Sequence, residues 1–150
     1  MSRQGMTAAN LYGEELPKFS NLAEAQVALD SYKDKTLAAL TRDVFAGSEP
    51  SFSPPSLKDI EAWYFNASCP ALGKGGYLVP HALGFYFGEV LCRSAGFSWV
   101  VQAFPFRQGC YEIGVTKSRV TVMLTQGKRL TLERNARKNS LFRAYNRYAP

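Results

Sequence analysis

Residues 83–99 read LGFYFGEVLCRSAGFSW and have the pattern of a buried helix followed by the start of a strand. The apolar face has members at helical spacing: Leu83, Phe87, Val90 and Leu91. Pro80 suits the first turn of a helix, and Gly96 suits the left-handed position just past its end. We therefore predict a central helix that begins near Pro80 and ends before Gly96.

A single carboxylate, Glu89, interrupts this apolar run. Gly84 and Gly88 precede it one turn apart, and each lowers helix propensity by about 1 kcal/mol relative to Ala, which favours close packing of another backbone there. On the helical wheel Tyr86, Glu89 and Arg93 share the remaining face.

A buried Glu89 needs a hydrogen-bonding partner, because an unpaired buried carboxylate costs several kcal/mol. The candidate donors are Arg93, the indole N–H of Trp99 and a backbone amide. We interpret Glu89 as a residue that orients the helix against a sheet; contact with a partner is the alternative, and catalysis is the weakest reading.

The chain before this helix predicts two further helices separated by a break. Asn21 followed by Glu24 is typical of a helix N-cap, and the apolar spacing predicts a helix at 21–45 with Leu22, Ala25, Leu29 and Tyr32 on one face. Residues 46–56, AGSEPSFSPPS, predict an internal linker. Ser56 with Asp59 predicts a capping box for a helix at 57–67, and CPALGKGGY at 69–77 predicts a loop.

The chain after the central helix predicts consecutive strands and a last helix. The β-branched and aromatic segments are 97–104, 111–116, 119–125 and 129–134. Leu141, Tyr145 and Tyr148 predict an amphipathic helix at 139–149 that packs on the sheet. This order indicates a single α+β domain over 1–150, with helices packed on an antiparallel sheet of about four strands and the core in 57–150.

Charge and cysteine content narrow the class of protein. Residues 1–116 carry nine basic and eleven acidic residues, whereas residues 117–150 carry nine basic residues against Glu133 alone. Three Cys without C-x-x-C spacing argue against a disulfide framework or a zinc site. The absence of a signal-like or membrane-length apolar run predicts a cytoplasmic protein without a membrane partner.

The central helix and the C-terminal segments resemble a loose group of small bacterial domains of unknown function. Their pattern is a small-aromatic-x-G-E helix, then Arg, Gly and Trp, then strands, then a Ser-Leu-x-x-x-Tyr helix. The matching positions are Gly84, Tyr86, Gly88, Glu89, Arg93, Gly96, Trp99, Ser140, Leu141 and Tyr145. Members occur among immunity-like proteins of bacterial toxin systems, so the resemblance implies a protein that binds and neutralises a cognate toxin or effector.

A protein-binding surface needs anchored aromatic and charged groups at loops and helix ends. The candidates with that placement are Trp63, Tyr64, Tyr77, Phe104, Phe106 and Arg107. Core packing is the alternative for each aromatic residue. In the FPFRQG segment, at 104–109, Phe104 and Phe106 lie close in sequence to the positively charged Arg107.

Enzymatic activity is not expected, and neither a cofactor nor a metal is predicted. The one histidine, His81, has no local nucleophile or carboxylate at a spacing typical of a catalytic pair. Cys92 lies among apolar residues that would raise its pKa. The remaining alternative is nucleic-acid binding by the basic C-terminal segment, through Arg129, Arg134, Arg137, Lys138, Arg143 and Arg147.

Overall fold

The computed structural model describes residues 17–66, 71–72, 77–124 and 140–149. The helices are α1 (Leu22–Val44), α2 (Ser56–Asn66), α3 (Val79–Ala95) and α4 (Ser140–Tyr148). The strands are β1 (Ala71–Leu72), β2 (Tyr77–Leu78), β3 (Ser98–Ala103), β4 (Tyr111–Lys117) and β5 (Val120–Met123). The predicted α+β class is confirmed.

The main sheet is an antiparallel meander in the order β3-β4-β5. Val101 pairs with Ile113 across the first ladder, and Val115 pairs with Val122 across the second. The described part of the chain therefore has three strands in this sheet where about four were predicted, and the predicted strand at 129–134 lies outside the described residues. The prediction of a loop over the whole of 69–77 is wrong in part, because residues 71–72 and 77 belong to β1 and β2, which pair as a short separate ladder.

Helix α1 begins as the sequence predicts. The Asn21 side chain accepts a hydrogen bond from the Glu24 amide at 2.9 Å, which satisfies one of the free N–H groups of the first turn. The predicted apolar face is only partly right, because Leu22 is largely exposed and burial begins at Ala25 and Leu29. The first turn thus extends beyond the core, and the rest of the helix packs on α3 and the sheet.

Helix α2 begins at Ser56, but the predicted capping box is wrong. The Ser56 hydroxyl donates to the Ser53 carbonyl at 2.6 Å, and it contacts the Tyr86 hydroxyl at the same distance. A serine hydroxyl has one proton, so the Tyr86 hydroxyl is the donor in the second bond. Ser56 therefore connects α2 to the central helix.

Helix α3 is the centre of the core, as its apolar sequence predicts. Its side chains include the fully buried Phe85, Tyr86 and Phe87. Gly96 ends the helix with φ +79°, the left-handed conformation expected there, and the Lys117 ammonium donates to the Ala95 carbonyl at 2.6 Å. Both predicted ends of the central helix are thus confirmed.

The two glycines of α3 permit close packing, though only one of them against a backbone. A Cβ at Gly84 would lie 3.1 Å from the Leu124 carbonyl oxygen. A Cβ at Gly88 would lie 2.6 Å from the Trp99 ring and 2.5 Å from a Leu124 methyl group. Gly88 therefore makes room for side chains, because the indole ring of Trp99 on β3 packs directly against the helix.

Tyr86 corrects the predicted polar face of α3. The sequence predicts that Tyr86 shares the polar face with Glu89 and Arg93, but its side chain is fully buried. The rings of Phe45 and Phe52 stack on it with centroid distances of 5.9 and 4.8 Å. Both rings come from the end of α1 and the linker, which covers this part of the helix.

Among the described residues, the main contacts of helix α4 are with α2 and α3, whereas packing on the sheet was predicted. The Tyr148 ring lies 6.2 Å from the Phe87 ring in an edge-to-face arrangement. The buried Glu61 of α2 accepts a hydrogen bond from the Leu141 amide at 2.9 Å. A carboxylate at the positive end of a helix is favourable, so Glu61 caps α4 from a distant part of the chain.

We predict that Glu61→Ala lowers the free energy of unfolding by about 1–3 kcal/mol, because it leaves the Leu141 amide without its acceptor. Glu61→Gln should have an intermediate effect, since the amide oxygen still accepts but carries no charge. Thermal unfolding and hydrogen exchange at the Leu141 amide measure both changes. Asp59→Asn, at an exposed acidic position of the same helix, is the control; an equal effect of Asp59→Asn and Glu61→Ala would contradict the cap.

Candidate functional site

A polar cluster forms where α3 meets β3. Glu89 Oε2 accepts from Arg93 Nε at 2.7 Å, and Glu89 Oε1 accepts from Trp99 Nε1 at 3.0 Å. Two of the three donors considered from the sequence therefore bind the same carboxylate, one at each oxygen. The predicted orienting role of Glu89 has a geometric basis, because it connects successive turns of α3 with the neighbouring strand.

The half-buried Trp99 ring is contacted from two helices, which sets the direction of its N–H. It packs against Gly88 and makes an edge-to-face contact with Phe85 at 6.1 Å. The ammonium group of Lys33, on α1, lies 4.6 Å from the ring centroid, and its side chain is only 12% exposed. A cation over an indole face is attractive, so α1 also contributes to placing Trp99.

Arg93 contacts three groups, one on its own helix and two in the linker. Besides Glu89, the ring of Phe52 lies 4.2 Å from its guanidinium carbon. The third group is Glu49, whose Oε1 lies 3.7 Å from Arg93 Nη1. The linker thus contributes both a stacking ring and a carboxylate to this arginine.

Arg93 and Glu89 form one wall of an open pocket with a volume of about 590 Å³. Helix α1 forms the opposite wall, and the linker closes one end. The other lining residues are Asp34, Leu37, Ala38, Thr41, Arg42, Gly47, Glu49, Pro50 and Phe52. Its size is that of a typical small-ligand or side-chain site, and its lining combines apolar surface with charges of both signs.

The loop at 104–110 between β3 and β4 is closed by its own backbone. The Phe104 amide donates to the Cys110 carbonyl at 2.9 Å, and Gly109 takes φ +83°. The segment before α1 fastens the loop, because the Phe19 amide donates to the Gly109 carbonyl at 3.0 Å. The loop is therefore tied at two places.

The two phenylalanines of this loop differ in exposure. Phe104 is buried with Cys110, so its prediction as a partner-contacting residue is corrected to a core residue of the loop. Phe106 is 83% exposed, and its ring meets the Phe104 ring edge-to-face at 5.5 Å. The buried ring thus supports the exposed one, while Arg107 beside it is half-buried.

The other predicted binding residues are placed less favourably or lie outside the described part. Trp63 and Tyr64 are half-buried against the core. Tyr77 lies in β2, and its side chain is outside the described residues. The basic residues that also lie outside them are Arg129, Arg134, Arg137 and Lys138. Arg143 is half-buried and Arg147 is exposed on α4.

Sequence reasoning missed residues that contact Trp99 and Arg93 from other parts of the chain. Lys33, Glu49 and Phe52 lie on α1 and in a Pro/Ser-rich linker, where neither periodicity nor a motif indicates a site. The one available signal was a lone aromatic residue, Phe52, among the polar residues of the linker.

The nucleophile and base candidates are poorly placed for catalysis. Burial, followed by the nearby Glu89 charge, raises the pKa of the Cys92 thiol to about 11, which keeps it protonated near neutral pH. His81 Nδ1 lies 2.8 Å from the Tyr32 hydroxyl, and burial lowers the pKa of His81 below its usual 6.5. Among the described residues, no three His, Cys, Asp or Glu side chains are grouped as metal ligands.

The model of the family described as "Uncharacterised protein YwmA" matches residues 18–149. No curated protein and no solved structure matches the chain. Within the described ranges, no helix combines the length and apolar character that crossing a bilayer requires.

We predict that Glu89→Gln lowers the free energy of unfolding by about 1–3 kcal/mol, since it removes the acceptor charge from two hydrogen bonds at once. Glu89→Asp should cost less, because it keeps the charge but shortens the reach. Thermal melting gives the stability, and the NMR signal of the Trp99 indole N–H reports the bond itself. Glu49→Gln, at an exposed position, is the control. If both Glu89 variants melted at the wild-type temperature, the cluster would not stabilise the fold.

We also predict that stability falls as pH is lowered through about 6.5 and below. Because the folded-state pKa of His81 is lowered, the unfolded chain binds the proton more readily in that range, and acidification favours unfolding. His81 is the one histidine of the chain, so His81→Gln should reduce the dependence of the free energy of unfolding on pH between about pH 7.5 and 5.5. Urea unfolding at a series of pH values measures this dependence. If the variant kept the wild-type dependence, another group would be responsible for it.

Proposed function

The chain belongs to the YwmA family, and we propose that it is a non-enzymatic protein-binding domain that acts as an immunity protein. In this role it binds a cognate bacterial toxin or effector in the cytoplasm and neutralises it. The observation that carries the proposal is the exposed Phe106 ring on a closed and fastened loop.

An exposed aromatic residue on a stiff support is well suited to bind a protein. Aromatic side chains bury a large area when a partner covers them, and a loop that is already ordered loses little conformational entropy on binding. Phe106 meets both conditions, because Phe104 supports its ring and backbone hydrogen bonds close the loop. Such a surface can block a partner without any chemistry of its own.

The toxin-neutralising role draws its support from the sequence pattern. The small-aromatic-x-G-E helix with Arg93, Gly96 and Trp99 resembles the pattern of immunity-like domains, and three of its polar and aromatic positions form the cluster around Glu89. An immunity protein needs a stable scaffold and a specific surface. In this proposal the cluster around Glu89 stabilises the scaffold, and the loop at 104–110 forms the specific surface.

Nucleic-acid binding is the weaker candidate. Base stacking would need free aromatic rings near the basic side chains of α4. Tyr145 is buried and Tyr148 packs on Phe87, so neither ring is presented for stacking. Arg147 is exposed on the helix surface, where a charged side chain is ordinarily solvated.

We predict that Phe106→Ala weakens capture of the protein partner by about tenfold or more, the loss of roughly 1.4 kcal/mol expected for an interface anchor. The melting temperature should stay unchanged, because the ring is largely exposed. The measurement is affinity capture by the tagged full chain from its own cells, with and without nuclease, read by mass spectrometry. Titration of the purified partner against wild type and variant then gives the affinity ratio.

Val27→Ala is the matched control, since Val27 is a comparably exposed apolar residue (73%) on α1. Equal capture by the wild type and Phe106→Ala would remove the loop from the interface. Loss of every partner on nuclease treatment would replace this proposal with nucleic-acid binding. A partner without toxin activity would retain protein binding and overturn the immunity role.

A further inference from the structure

Arg93 presents an oriented guanidinium group to the pocket between α1 and α3. Its Nε is bound to Glu89 at 2.7 Å, and its plane lies over Phe52 at 4.2 Å. Glu89 is in turn fixed by Trp99. These contacts set the direction of the guanidinium and leave its two terminal nitrogens to face other groups.

The terminal nitrogens of Arg93 have a weakly held acceptor. One of them, Nη1, forms an ion pair with Glu49 Oε1 at 3.7 Å. That distance allows an ion pair but exceeds the range of a hydrogen bond. Glu49 is 76% exposed, and an exposed ion pair of this kind contributes at most about 1 kcal/mol.

We propose that this pocket binds the carboxylate of an acidic side chain from a protein partner, and that Glu49 occupies its place in the free protein. Arg93 is the binding residue, and Glu89 and Trp99 position it. A guanidinium fork matches a carboxylate in two parallel hydrogen bonds, which the 3.7 Å contact with Glu49 does not provide. The inference rests on the proposed protein-binding function only in taking the carboxylate from a protein.

The surroundings of Arg93 fit a short acidic side chain. Leu37, Ala38 and Pro50 line the pocket with apolar surface for the methylene groups, and a volume of about 590 Å³ accommodates the whole side chain. A cation would compete with Lys33 for Asp34, which lie 3.4 Å apart, and with Arg93 for Glu49. The guanidinium of Arg93 is held by Glu89 and Phe52, so the pocket presents an oriented cation.

The test uses the full chain and capped tripeptides as probes. The peptides are Gly-Glu-Gly, Gly-Gln-Gly and Gly-Lys-Gly, each blocked at both ends so that the central side chain differs alone. The readout is the NMR signals of the Arg93 Nε–H and the Trp99 Nε1–H, which report on the site itself. We expect saturable shifts with the Glu peptide and at least about tenfold weaker binding of the other two.

Three variants of the protein separate the roles. Glu49→Gln should strengthen binding of the Glu peptide by about threefold, because it removes the competing carboxylate. Arg93→Lys should weaken it by about tenfold or more, since an ammonium group lacks the planar fork. Arg119→Gln is the control: this exposed arginine lies in the turn between β4 and β5, outside the pocket, and we expect less than about a twofold change.

Three results would overturn the inference: no shift with the Glu peptide, tighter binding of the Lys peptide, or weaker binding in Glu49→Gln. These outcomes are independent of the partner-capture experiment. If the Glu peptide binds and Phe106→Ala still captures the protein partner, the pocket is supported and the loop is not part of the interface. If Phe106→Ala captures less partner and the Glu peptide does not bind, protein binding is supported and the pocket proposal is wrong.

Discussion

The indole ring of Trp99 packs where Gly88 has no side chain, and this close approach of β3 to α3 sets the geometry of the surrounding residues. A Cβ at that position would lie 2.6 Å from the ring. Because the ring lies so near the helix, its N–H reaches Glu89, and Glu89 in turn holds Arg93. Steric room for one aromatic ring therefore determines where a charged pair can form.

The linker between α1 and α2 extends this arrangement to the surface. Phe52 stacks on the buried Tyr86 and also lies under the guanidinium of Arg93. The same residue thus closes the core on one side and supports a polar pocket on the other. Phe52 takes φ +50°, a conformation disfavoured for a residue with a side chain, and these two contacts offset part of that strain.

The loop at 104–110 and the pocket present different chemistry to a partner. The loop offers one exposed ring on a supported base, whereas the pocket offers an oriented cation with apolar surface around it. Protein interfaces commonly combine such features, with aromatic anchors for buried area and arginine for directional hydrogen bonds. Both surfaces rest on backbone or side-chain contacts already formed in the free chain, which limits the entropy lost on binding.

Local sequence patterns were sufficient for the helices and for the described strands of the main sheet, but not for β1 and β2. Asn21, Pro80 and Gly96 mark helix ends by backbone chemistry that needs no distant partner, and alternating β-branched residues mark the meander. Glu89 was identified as a residue that needs a partner, and the two donors it binds were among those considered. The fourth predicted strand, at 129–134, lies outside the described residues.

Only the tertiary structure decided which distant residues meet. Tyr86 is buried because Phe45 and Phe52 stack on it, Phe104 is buried with Cys110 inside its loop, and the buried Glu61 caps α4. The pocket depends on Glu49 and Phe52, which approach Arg93 from a segment without periodicity. Helix and strand signals arise from neighbours along the chain, whereas these contacts arise from how the elements pack, and a single sequence does not encode that packing in any local pattern.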